Sequence, residues 1–71
     1  MATLDVLPTD DREWNVLNPS GEILGTIKKL ETGYLSERAT TRAAIKRFRM
    51  IDSLREAFGE EHEFQIQKWE P

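Results

Sequence analysis

Apolar and polar positions alternate from Trp14 to about residue 38 and then change period. Trp14-Asn15-Val16-Leu17 places Trp14 and Val16 on one side of an extended strand. Asn18-Pro19-Ser20-Gly21 has the composition of a turn, with proline for an early position and glycine for a late one. Residues 22–30 follow, where Ile23, Thr26 and Ile27 favour a strand; Ile23, Gly25 and Ile27 face one way, and Leu24, Thr26 and Lys28 the other. Two such runs around Pro-Ser-Gly predict a β-hairpin. Gly25, inside the second strand, marks a bulge or a close approach, with the Trp14 ring as the expected neighbour.

Glu31-Thr32-Gly33 is a second turn signal. Residues 34–38 then predict a third strand, with Tyr34, Ser36 and Arg38 on one face. The competing reading begins a helix here, with Ser36 as its N-cap; the preferred one begins it at Thr40 or Thr41. The period becomes helical over residues 41–58. At about 100° per residue, Ala44, Phe48, Ile51 and Phe58 fall in a narrow arc with Leu54 at its edge. Gly59 follows, where helices commonly end. Glu60-Glu61-His62-Glu63 is a polar link, and residues 64–69 alternate again, Phe64 and Ile66 against Gln65, Gln67 and Trp69. Phe48, Phe58 and Phe64 are assigned to the core.

These elements predict an α+β fold in the order β-β-β-α-β. It is a two-layer sandwich, an antiparallel sheet of three to four strands with one helix packed on one face. Residues 1–12, which include Pro8-Thr9-Asp10-Asp11, read as a flexible N-terminal tail, and residues 13–71 as a single small α+β domain.

Size narrows the function. A chain of 71 residues has little room for both a core and a pocket of roughly 300–1,000 Å³, so an enzyme with an enclosed site is not expected. There is no cysteine, which excludes disulfides and cysteine-ligated metals. No stretch resembles a signal peptide or a membrane span, and a cytoplasmic location is the expectation. The only histidine, His62, lies among glutamates and reads as part of a solvated loop; nothing in the spacing brings Ser36 or Ser53 to it. The glycines are isolated, so no phosphate loop is present. No catalytic residue, metal site or cofactor is expected.

Charge supplies the functional lead. The net charge is −3, yet residues 38–49 hold Arg38, Arg42, Lys46, Arg47 and Arg49 and no acid. On the expected helix, Arg42, Lys46 and Arg49 project away from the buried arc, joined by Arg38 if it is helical. The expectation is a small adaptor or regulatory domain that binds an acidic protein surface through this basic helix face, with Trp69 as an apolar contact. The partner-binding residues are therefore Arg38, Arg42, Lys46, Arg49 and Trp69. The competing reading sets the same cations against nucleic-acid phosphates, which the acidic overall balance opposes. Homodimerisation, which would bury a sheet edge, is also expected. Trp14-x-Val16-x-x-Pro19-x-Gly21-Glu22-x-x-Gly25-x-Ile27 resembles the first hairpin of many small bacterial and phage-type domains. The resemblance covers about a fifth of the chain and carries no residue roles.

Overall fold

The computed structural model describes residues 2–67. Strands β1 (Thr3–Asp10), β2 (Glu13–Leu17), β3 (Ile23–Leu30), β4 (Gly33–Arg38) and β5 (Ala44–Arg47) precede one helix, α1 (Met50–Phe58), and a last strand, β6 (Glu63–Ile66). They form one six-stranded sheet in the order β5-β4-β3-β2-β1-β6. All neighbours are antiparallel except β1 and β6, which are parallel. The sheet curls into a half-barrel around α1. The expected sandwich of three to four antiparallel strands is thus incorrect in strand number, in element order and in the parallel pair.

Two segments account for the difference. The expected tail is β1, which lies inside the sheet between β2 and β6. Leu4 and Val6 alternate onto the concave face and are fully buried, Val6 opposite Val16 and Ile66. Pro8 and the aspartates suggested a breaker, but Pro8 sits where the register with β2 shifts, so its missing N–H falls at an irregular point of the ladder.

The second segment is the expected long helix. Residues 44–47 are instead the edge strand β5, and the helix begins only at Met50. The arc of Ala44, Phe48, Ile51 and Phe58 is not the buried face. Helix α1 buries Met50, Ser53, Leu54, Ala57 and Phe58, a spacing that is itself helical. Tertiary pairing decided the outcome. Strand β4 gains a partner when Ile45 lies opposite Ser36 and turns toward the core.

The hairpin expected around Pro19-Ser20-Gly21 is present as β2–β3. The Asn18 side-chain oxygen organises its turn, accepting from the backbone N–H of Ser20 (3.1 Å) and of Glu22 (2.9 Å). The third strand is present as β4. Gly25 does mark a close approach, but to Phe58 rather than Trp14: a Cβ there would overlap the Glu37 carbonyl oxygen and the Phe58 ring.

The core lies in the concave face. Trp14, Val16, Ile27, Leu4 and Val6 from the sheet meet Met50, Leu54, Ala57 and Phe58 from the helix. The Trp14 ring packs tilted against Tyr34 with centroids 6.5 Å apart, and its indole N–H donates to the Gln67 carbonyl at 3.2 Å. This bond ties the middle of the sheet to the end of β6.

Candidate functional site

The basic segment is an edge strand and its flanking loops, not a helix face. Arg38 ends β4, Arg42 lies in the loop to β5, Lys46 lies in β5, and Arg49 is the residue before α1. All are exposed. Trp69 lies outside the described residues.

A tight loop holds the start of β5. The Arg38 N–H donates to the Ala43 carbonyl at 2.9 Å, and the Arg42 N–H to the Arg38 carbonyl at 3.1 Å. Arg42 itself has φ +56°, an uncommon conformation for a residue with a side chain. Arg38 and Arg42, with Ile23, Thr26, Glu37 and Ala39, line a shallow depression of about 370 Å³ at this end of the sheet.

The ladder fixes which backbone groups are free. Hydrogen-bonded and non-hydrogen-bonded pairs alternate between antiparallel strands. Since Arg38 bonds Ala43, the bonded pairs are Ser36 with Ile45 and Tyr34 with Arg47. Ala44 and Lys46 therefore turn their N–H and C=O groups off the sheet. The Lys46 carbonyl accepts from Arg47 Nη1 at 2.8 Å. Among the described residues, the Ala44 groups and the Lys46 N–H remain as an open edge.

Phe48 dominates the other end. It follows β5 directly and is 84% exposed, against 8% for Phe58. The core assignment of Phe48 is therefore incorrect, and it is the functional candidate that the sequence reading missed. Its position is set by Gly33, whose φ of +145° lets the strand end pass close: a Cβ there would lie 2.6 Å from the Arg47 carbonyl oxygen and 3.4 Å from the Phe48 Cα. Leu30 pairs with Gly33 and is 39% exposed, so it adds apolar surface at the same end. The signal available in the sequence was the triplet Arg47-Phe48-Arg49, an aromatic between cations.

The counter-charges are unequal. Arg47 pairs with Glu56 of α1. Together with Asp52, Arg55 and Glu60 they line a second depression of mixed sign, two cations against three acids. Lys46 Nζ donates to the Thr32 hydroxyl at 2.6 Å. Among the described residues, Arg38, Arg42 and Arg49 make no ion pair. The structure thus separates the predicted site: Arg38 and Arg42 share one end of the β4–β5 hairpin, and Arg49 lies beside Phe48 at the other.

The serines are structural. Ser36 and Ser53 are both fully buried, and Ser53 Oγ donates to the Ile45 carbonyl at 2.8 Å. Ser36 then supplies the proton for the 2.7 Å hydroxyl–hydroxyl contact. His62 Nε2 lies 3.5 Å from the Glu61 carboxylate. Among the described residues, no group of three or more acids and histidines is arranged to hold a metal ion. No helix among them is long and apolar enough to cross a membrane.

Comparison with protein-family models, curated proteins and solved structures finds no match to this chain.

Proposed function

We propose that this chain is a small protein-binding module of adaptor or regulatory type that takes an extended acidic segment of a partner onto the free edge of β5. The added strand would pair with the Ala44 and Lys46 backbone groups. Its carboxylates would meet Arg42, Lys46 and Arg49, and an apolar side chain would cover Phe48. Strand addition of this kind draws affinity from main-chain hydrogen bonds and selectivity from side-chain contacts. A cytoplasmic location belongs to the same reading.

One observation carries the proposal: a phenylalanine 84% exposed, set at the end of a sheet edge that is unpaired among the described residues and beside Arg49, which makes no ion pair among them. Aromatic and arginine side chains are the usual anchors of protein interfaces. Lysine on an edge also discourages pairing with another basic edge, so the strand is selective for acidic ones. The acidic net charge of −3 weighs against the nucleic-acid reading.

The test is fluorescence anisotropy with a synthetic peptide of alternating glutamate and valine, run beside a fluorescent DNA duplex. Binding of the peptide, lost in Phe48→Ala and in Lys46→Glu, is the expected result. Peptide binding untouched by both substitutions, or no binding to the monomeric chain, sinks the reading. Duplex binding that falls by about 0.9 log unit per log unit of salt for each phosphate neutralised would favour the nucleic-acid alternative.

A further inference from the structure

Among the described residues the sheet has a second unpaired edge, and its charge is opposite to the first. Strand β6 ends the sheet on the far side from β5. The segment around it carries exposed Glu60, Glu61 and Glu63, and residues 59–71 hold four acids against one lysine, Lys68. The segment around β5, residues 42–49, carries Arg42, Lys46, Arg47 and Arg49 and no acid. The β6 edge is open in the same sense as the β5 edge. The Glu63 N–H donates to the Ala2 carbonyl and the Gln67 N–H to the Val6 carbonyl. The parallel ladder therefore turns the backbone groups of Phe64 and Ile66 outward.

We infer that the acidic strand received by β5 is β6 of a second copy of this chain, so that half-barrels join edge to edge. This rests on the reading of β5 as a docking edge and names its partner; with β6 in place the acids meet the Arg42 end alone, while Lys46 comes level with the partner's Gln65 and Phe48 with the partner's Gln67. Strand direction gives the inference a geometric content. Following the antiparallel pairings from β1 to β5, and the parallel one from β1 to β6, β5 and β6 point the same way. Copies related by rotation about the barrel axis keep that direction, so β5 and the partner's β6 meet in parallel. Both strands are four residues long. Aligned start to start, Arg42, two residues before Ala44, comes beside the partner's Glu61, two residues before the partner's Glu63. Arg42 then faces the partner's Glu61 and the partner's Glu63 across the contact, with Arg38 one strand behind it at the end of β4; antiparallel docking would instead bring these acids to Arg47 and Arg49. The contact is heterologous: two half-barrels satisfy both edges by closing on each other, and a contact that fails to close runs on to larger species.

Light scattering and sedimentation of the full chain test this, with circular dichroism confirming that each variant is folded. The wild type is expected at twice the 8.3 kDa chain mass or more, shifting toward monomer as salt is raised. Arg38→Glu/Arg42→Glu and Glu61→Lys/Glu63→Lys chains are each expected to be monomeric. An equimolar mixture restores complementary charge at both contacts and is expected to associate again. Wild type that stays monomeric at every concentration and salt, or association unaffected by the charge reversals, overturns the inference. If the glutamate–valine peptide still binds a monomeric wild type, only the identity of the partner fails; if peptide binding and self-association are both absent, the docking edge fails with it.

Discussion

The ring of Phe58 rests directly on the backbone of Gly25, closing the concave face of the sheet where β3 curls beside β4. The helix can approach this closely only because position 25 carries no side chain. Gly25→Ala is expected to destabilise the fold by about 1–3 kcal/mol through forced repacking. A fall in the urea midpoint with an unchanged denaturant slope checks it; unchanged stability would mean that the contact is slack.

The two phenylalanines that bracket α1 play opposite parts. Phe58→Ala is expected to cost about 3–5 kcal/mol as a core truncation. Phe48→Ala, at a position 84% exposed, is expected to leave stability within about 0.5 kcal/mol while removing capture of the glutamate–valine peptide. Thermal unfolding of both variants separates the roles, and a large stability loss in Phe48→Ala would return that ring to the core.

Strand β1 carries a prediction of its own. Leu4 is 2% exposed and pairs with Phe64. Leu4→Ala is expected to destabilise by about 2–5 kcal/mol, read by chemical denaturation. A residue in a loose tail would give no change.

The Ser36–Ser53 pair is a closed polar unit within an apolar layer. Ser53→Ala leaves the buried Ser36 hydroxyl without its 2.7 Å partner, at an expected cost of about 1–3 kcal/mol. The double alanine variant should cost less than the sum of the single ones, because both ends of the bond then vanish together. Strict additivity in the denaturation data would argue that the hydroxyls do not depend on each other.

How legible all this was depends on where the information lay. Local pattern determined the β2–β3 hairpin, the third strand and the helical character of residues 50–58. These rest on alternation, turn residues and i, i+3, i+4 spacing that neighbouring residues supply to one another. The concentration of cations over residues 38–49 was equally plain, since charge is counted rather than folded. Tertiary structure alone decided what that basic segment became. Residues 44–47 suit a helix when considered by themselves, but the edge of β4 has hydrogen bonds to satisfy, and Ile45 can reach the core from there. It also decided that β1 belongs inside the sheet, because the worth of burying Leu4 and Val6 appears only when Val16 and Ile66 arrive from distant positions to cover them. The exposure of Phe48 and the opposition of charge between the two sheet edges follow from those pairings. They are properties of residues far apart in the chain, which no local period can encode.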